Sequence, residues 1–342
     1  MKCTNNPRAN RRRKKQIRKQ IIIILSAVIS LTILMILLFF MIHNKKAYNY
    51  ISDYETVNYN TSVVDKSLTS VDLCVVADDV TIPGYTGVDS IHGQALFDVT
   101  DKQVIFSNNI YDKLYPASTT KILTAYVTLK YGDLNDIVTV SASALDLPYD
   151  AQVCFLQEGD KVKLYDLLCG LLLYSGNDAA NAIAEHISGS VDEFVNLMNE
   201  EALKLGATHT HFVNPHGLHD DNHYTTVYDL YLMFNACIKY DTFNEIYSNG
   251  YWTADVTRLD GTVTQLTWEP TNYFSNGTKT ITDDYSNKGG KTGTTDEAGS
   301  CLVLSSIYKD DKQMISIIMG AESKDQLYSE MNNMLEAGKE IF

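Results

Sequence analysis

The sequence predicts an α/β (α+β) fold: one sheet built from the two ends of the globular region, covered by helices, with a helical lobe inserted between them. Three observations carry this reading. Strand-like runs at Ile91–Val99 and Val104–Ser107 flank the turn Thr100-Asp101-Lys102. Helical periodicity dominates from about 115 to 240. A second hairpin, Ser300–Tyr308 and Gln313–Met319, closes across Lys309-Asp310-Asp311-Lys312 near the end. Strands at both ends with helices between them fit a layered sheet with an insertion.

The segments before this region have a different composition. Residues 1–19 hold nine basic side chains and no acid, although the whole chain of 342 residues carries −14. Such an arm would suit phosphates, but the adjoining segment argues against a nucleic-acid partner. Ile21–Ile42 is a run of 22 residues without a charge, about 33 Å as a helix, enough to cross the hydrocarbon core. Basic residues on its N-terminal side put that end in the cytoplasm and the rest outside the cell membrane. The run is too long for a cleaved signal peptide, and no small-residue cleavage pattern comes after it. Residues 43–70, polar and rich in Asn, Ser, Thr and Tyr, read as an extracellular stalk. The expected organisation is therefore a basic arm over 1–20, a single-pass anchor over 21–42, a stalk over 43–70 and a globular domain over 71–342.

Within the globular domain the first helix comes after Pro116, which a first helical turn tolerates. Ile122, Leu123, Tyr126 and Leu129 mark its apolar face, and Gly132 ends it. Leu164–Tyr174 reads as a second helix. A third starts at Ser190 with Glu193 placed for a capping box, and a fourth runs from Thr225-Thr226 to about Lys239. Residues 250–285, rich in Thr, Tyr and Trp, suggest short strands, and Ser323–Glu340 is a last helix. Cys74, Cys154, Cys169, Cys237 and Cys301 are odd in number, match no metal spacing, and read as small buried hydrophobes. A Cys154–Cys169 bridge has no support beyond the presence of both thiols.

Chemistry enters with Ser118 and Lys121, three residues apart and so on one helical face. A serine hydroxyl needs a base to become a nucleophile. A lysine can be that base once its pKa falls from about 10.4 to about 7–8, a shift of ~4 kcal/mol. Burial and a second cation both drive it that way. Alone, Ser-x-x-Lys is a weak signal, since a solvated lysine on a helix explains it equally well. Two further patterns change that: Ser175-Gly176-Asn177 in a break between apolar helices, and Lys291-Thr292-Gly293 after a glycine pair. Each by itself reads as a turn; the three in this order do not.

The set resembles the signature of penicillin-binding proteins and class A β-lactamases. With NPHGL (214–218), HYTTVYDL (223–230) and KTGTTDEAGSCLV (291–303), it is most similar to the serine D-alanyl-D-alanine carboxypeptidases, the low-molecular-mass penicillin-binding proteins (peptidase S11-like), over roughly 70–342. The resemblance implies an antiparallel sheet flanked by helices with a mostly helical lobe. It also implies removal of the terminal D-alanine from peptidoglycan stem peptides ending in D-Ala-D-Ala, with β-lactams as covalent inhibitors and no metal or organic cofactor. Ser118 would be the nucleophile, Lys121 its base and Ser175 a proton relay. Asn177, Lys291, Thr292, Gly293 and Thr294 would bind substrate, with the N–H groups of Ser118 and Thr294 as the oxyanion hole.

Some features depart from the family pattern. Relatives often carry a second β-rich domain and a C-terminal amphipathic anchor, a task this sequence leaves to Ile21–Ile42. They often place an arginine past the last sheet strand to grip the substrate carboxylate. Here the only arginine after residue 18 is Arg258, and Lys324 is the one cation near that place. His209, His211, His216, His219 and His223 beside Asp220-Asp221 suggest zinc, but they share a loop with the NPHGL motif, so no metal is expected. Competing functions are a β-lactamase, for which no separate deacylating carboxylate stands out between Ser175 and Lys291, a DD-transpeptidase, and a non-catalytic wall-binding ectodomain.

Overall fold

The computed structural model describes residues 72–309 and 311–342, together with positions 19, 32 and 35. Apart from those three positions, the basic arm, the apolar run Ile21–Ile42 and the stalk lie outside the described residues. No described helix is long and apolar enough to cross a membrane. Packing divides the chain after residue 66, and both sheets and all three sequence motifs belong to the second unit.

The two ends do build one sheet. Strands β1 (Gly93–Asp98) and β2 (Gln103–Asn108) join β7 (Tyr285–Thr295), β8 (Gly299–Tyr308) and β9 (Lys312–Ala321) in the antiparallel order β2-β1-β9-β8-β7. Their side chains alternate between two cores, because successive strand residues face opposite sides. Leu96, Leu302, Leu304 and Ile318 pack under the last helix, α7 (Lys324–Gly338), against Leu327, Met331 and Leu335. Phe97, Val303, Ile315 and Ile317 face the inserted lobe. There they meet α1 (Lys121–Tyr131) and α5 (Val227–Cys237), and Phe97 stacks on Tyr231 at 4.1 Å. The lobe is completed by α2 (Leu164–Cys169), α3 (Asn177–Ser188), α4 (Val191–Lys204) and α6 (Asp241–Ser248).

The caps match the sequence closely. Ser190 accepts from the N–H of Glu193, Thr226 from Asp229 and Ser323 from Gln326, each satisfying an orphan donor of a first helical turn.

Several expectations need correction. Short strands do occur in 250–285, at Trp252–Thr257 and Val263–Trp268, but they join the unexpected Ile137–Thr139 and Lys161–Lys163 in a second, four-stranded sheet, β3-β4-β5-β6, numbered in chain order. Three-residue strands are too short to leave an alternating signal. Ser118 is not on the helix: it sits in a 3-10 turn, Ala117–Thr120, that leads into α1. The helix read over 164–174 changes at Gly170 to a π-helical turn, Gly170–Tyr174. The Lys-Thr-Gly segment is not a turn but the middle of β7. A strand there is possible only with glycine at 290, where a Cβ would lie 2.2 Å from the Val303 carbonyl oxygen. Cys154 and Cys169 are not bridged; all five described cysteines are free and buried. Arg258 is committed to structure, donating to the fully buried Asp160 at 2.5 Å.

The loop between α4 and α5 is tied to the Ser118 turn through a histidine. The Val213 N–H donates to His223 Nδ1 at 3.1 Å, so the ring proton sits on Nε2. From there it donates to Thr120 Oγ1 at 2.7 Å, and that hydroxyl donates to the Ala117 carbonyl at 2.8 Å. A second ring proton would collide with the Val213 N–H, and burial lowers the His223 pKa to about 3. The unfolded histidine titrates near 6.5, so between 6.5 and about 3 the unfolded chain binds the extra proton. Stability from this group is full above 6.5 and lost as pH falls, at ~1.4 kcal/mol per pH unit. Asp166, Asp178 and Asp229, raised by burial, contribute with the opposite sign. His223→Gln therefore isolates the histidine: denaturant titrations between pH 6.5 and 5 should show a slope flatter by about that amount. An unchanged slope would mean that the histidine is not held neutral.

Candidate active site

The turn carrying Ser118 is held in a conformation few side chains adopt. Ala117, just before it, has φ +46°. Gly217 presses against that residue with φ +90°, and a Cβ on it would stand 1.9 Å from the Ala117 carbonyl oxygen. On the other side lies Gly293 of β7, where a Cβ would come within 2.9 Å of the Ser118 nitrogen. The glycines of NPHGL and Lys-Thr-Gly are therefore the two surfaces between which the serine turn is clamped.

Ser175 ends the π-helical turn with φ +67°, which turns the chain sharply and starts α3 at Asn177. The buried Asp178 secures this break. Its carboxylate accepts the backbone N–H groups of Cys154 at 2.7 Å, Leu156 at 3.1 Å and Ala179 at 2.9 Å. The 152–156 segment is thereby fastened to α3, and the Gln152 carbonyl accepts the Asn177 N–H at 2.8 Å. Sequence reading gave no role to Asp178, although it adjoins the Ser-Gly-Asn motif.

These elements bring together all eight residues singled out in the sequence. Ser118, Ser175, Thr292, Gly293 and Thr294 line one cleft of about 190 Å³. Lys121, Asn177 and Lys291 stand behind it, the two lysines fully buried. Lys121 Nζ lies 2.6 Å from Asn177 Oδ1, 2.6 Å from the His216 carbonyl oxygen and 3.0 Å from Ser118 Oγ. The first two partners only accept, so two N–H bonds are spent on them. Ser118 is the only one of the three that can donate. In its neutral form Lys121 thus directs its lone pair at the serine hydroxyl.

Burial, and next the charge of Lys291, push the Lys121 pKa well below its ordinary value. Lys291 donates to Ser175 Oγ and to its neighbouring Thr292 carbonyl, each at 2.9 Å, and burial lowers its pKa to about 7. Two ammonium groups cannot share such a site. Lys121 bears both the burial and the repulsion and gives up its proton first, leaving Lys291 as the cation.

Besides Asp178, sequence reading missed three contributors. The His216 carbonyl belongs to a motif it noticed but gave no task. Thr271 places Oγ1 2.5 Å from Thr292 Oγ1 from a segment without landmarks. Tyr328, on α7, joins the cleft wall beside Leu327 and Lys324. The histidine-rich loop is used structurally, and His219 packs edge-on against Tyr115 at 4.8 Å. Among the described residues no group of three His, Cys, Asp or Glu side chains is arranged to hold a metal. Serine, lysine, a second buried cation and, among the described residues, no carboxylate in the cleft lining make a site suited to acyl transfer through serine.

Comparison with known proteins gives the family. The family described as D-alanyl-D-alanine carboxypeptidase, peptidase S11, matches residues 88–323. The chain is 36% identical over 267 residues to the D-alanyl-D-alanine carboxypeptidase DacA of Haemophilus influenzae, covering 72% of this chain and 64% of that protein. It is 31% identical over 242 residues to DacF of Bacillus subtilis, covering 68% and 58%. It thus spans less than two thirds of the length of these two curated relatives. Among solved structures, the Streptomyces K15 DD-transpeptidase superposes with a TM-score of 0.68 at 26% identity, covering 77% of this chain and all of that one. A D-alanyl-D-alanine carboxypeptidase from Mycobacterium tuberculosis H37Rv gives 0.66 at 26% identity, covering 77% and 96%. With its three motifs converging on one cleft and the family match reaching from the first sheet strand to the last, the chain belongs to the D-alanyl-D-alanine carboxypeptidase family, peptidase S11.

Proposed function

We propose that this protein is a serine-type D-Ala-D-Ala carboxypeptidase that trims the terminal D-alanine from peptidoglycan stem peptides. The observation that carries the reading is the Lys121 amine, held by two carbonyl oxygens so that its remaining valence meets Ser118. Ser118 Oγ passes its proton to Lys121 Nζ and attacks the carbonyl between the two D-alanines. The N–H groups of Ser118 and Thr294 take the oxyanion. Lys121 returns the proton, by way of Ser175, to the departing D-alanine nitrogen as the C–N bond breaks. Water then opens the Ser118 ester, with Lys121 again as base, and restores the hydroxyl. Asn177 holds Lys121 and the substrate amide. Lys291 keeps Lys121 neutral and, with Thr292, attracts the substrate carboxylate.

The β-lactamase alternative needs a carboxylate to drive fast deacylation, and among the described residues lining the cleft there is none. β-Lactams therefore acylate Ser118 and leave slowly. Cleavage and transpeptidation diverge only at the acceptor, so an added amino-terminal peptide distinguishes them by crosslinked product. The reading includes a membrane setting: Ile21–Ile42 anchors the protein with its basic arm in the cytoplasm and the catalytic domain outside. The charge-free run and the nine basic residues before it support this.

Ser118→Ala should stay folded by circular dichroism yet release no D-alanine and take no covalent penicillin label. Lys121→Arg should fold and acylate at least about 100-fold more slowly, because a guanidinium does not give up its proton. Labelling that survives in the alanine variant would remove Ser118 from its role.

The two lysines also shape the pH profile of kcat/KM, which reports the free enzyme. The acid limb marks protonation of Lys121. The alkaline limb, near 7, marks loss of charge on Lys291, whose buried pKa is about 7. Lys291→Arg should move the alkaline limb up by more than about two pH units, since arginine stays charged. An alkaline limb still near 7 in that variant would show that Lys291 is not the cation required.

A further inference from the structure

One side chain beside the cleft is held in a conformation that bulky residues avoid. Phe155 has φ +63° and remains 62% exposed. A large side chain in the left-handed region is an outlier that costs backbone energy. Its neighbours impose it. The N–H groups of Cys154 and Leu156 both end on Asp178, and the Cys154 carbonyl accepts the Trp268 indole N–H at 3.2 Å. Cys154 and Leu156 are buried, which leaves the residue between them facing outward. Glycine would take this backbone without strain, so phenylalanine is the costlier choice for the fold. Strain of this kind collects where ligands are bound.

The same segment sends a second side chain into the cleft. Gln152 is exposed in the cleft lining, and its side-chain amide has no hydrogen-bond partner among the described residues. Its carbonyl accepts the Asn177 N–H at 2.8 Å, so the backbone beneath that side chain is fixed to the start of α3. Phe155 stands outside the lining, its ring 6.3 Å from that of Tyr174, the residue before Ser175. The segment therefore presents an amide that offers a donor and an acceptor together, and beyond it an apolar ring. Both belong to the Asn177 side of the cleft, where the proposed reaction holds the substrate amide that precedes the scissile bond. A phenyl ring has no polar atom to offer, so the group it selects is apolar.

We propose that the 152–156 segment is a subsite for the part of the stem peptide that precedes D-Ala-D-Ala. Gln152 pairs with the next peptide group, and Phe155, with Tyr174, covers the side chain of the residue that carries it. The inference rests on the carboxypeptidase reading for the direction in which the ligand lies. The substrate class it names is a peptide of at least three residues with a long aliphatic chain on the third residue from its C-terminus.

Three ligands separate the two contacts without turnover: N-acetyl-D-Ala-D-Ala, N-acetyl-L-Ala-D-Ala-D-Ala and N-acetyl-L-norleucyl-D-Ala-D-Ala. Their dissociation constants are measured by NMR titration of the full-length Ser118→Ala protein in detergent. The alanyl ligand should bind about three- to tenfold tighter than the dipeptide, the range of one neutral hydrogen bond. The norleucyl ligand should gain at least a further factor of about four, the equivalent of one buried methylene. Adding Gln152→Ala should abolish the first gain and keep the second. Adding Phe155→Gly should abolish the second and keep the first. Phe155→Gly should also raise the thermal midpoint, because glycine accepts the positive φ without strain, whereas loss of a merely structural phenylalanine would lower it. Equal binding of the three ligands by the parent, gains that survive in both variants, equal losses across all three ligands, or a lowered midpoint in Phe155→Gly would overturn the proposal. Failure of the carboxypeptidase reading shows separately, as no release of D-alanine from any of the three by the protein with Ser118 intact.

Discussion

Two lysine amines buried within one small site, with no carboxylate among the described residues lining the cleft, are the constraint on which everything else in this molecule depends. Desolvation alone lowers the pKa of a lysine, and a neighbouring cation lowers it further. Here the two effects fall unequally. Lys121 is both desolvated and repelled by Lys291, whereas Lys291 is lowered by burial alone. The asymmetry suits the two amines to the two tasks proposed for them, a neutral base and a retained cation. A glutamate in place of one acceptor would pair with Lys121, restore its charge and remove the lone pair that Ser118 requires.

Such a pair is stable only because its surroundings are rigid. Each lysine is reached from a different part of the chain. Lys121 starts α1, Lys291 sits in β7, and their hydroxyl partners come from a 3-10 turn and a π-helical turn. The backbone at Ala117 and Ser175 takes positive φ values, which non-glycine residues adopt at a cost of order 1 kcal/mol or more. The sheet, the Asp178 carboxylate and the His223–Thr120 link supply the packing and hydrogen bonds that hold these turns. Function and fold therefore use the same contacts, and the Ser118 turn is gripped from three sides by residues with no chemistry of their own.

The sign of charge is organised at a larger scale as well. The chain is strongly acidic, but among the described residues acids are absent from the cleft lining while lysines occupy its back and its rim. The buried cations Lys121 and Lys291 fix the local polarity more firmly than net charge does, since buried charges are screened less than exposed ones.

The residues proposed to carry the chemistry were legible without coordinates. Ser118, Lys121, Ser175, Asn177 and Lys291 are set by spacing along the chain, and local patterns of this kind depend on nearest neighbours. The cap at Ser190 and the helix starts near Thr226 and Ser323 were legible for the same reason, as were strands β1, β2, β8 and β9, whose short apolar runs reflect burial on both faces of the sheet. What tertiary structure alone decided is what depends on approach between distant segments. The His216 carbonyl carries no side-chain signal, because every residue has one. Thr271 looks like any threonine until β7 brings Thr292 to within 2.5 Å of it. Strands of three residues, and a glycine-rich strand made possible by close packing on Val303, leave no periodicity to read. The sequence by itself determined which groups could react. The folded chain decided which of two lysines would be neutral, because burial and charge repulsion arise only once segments far apart in sequence share one interior.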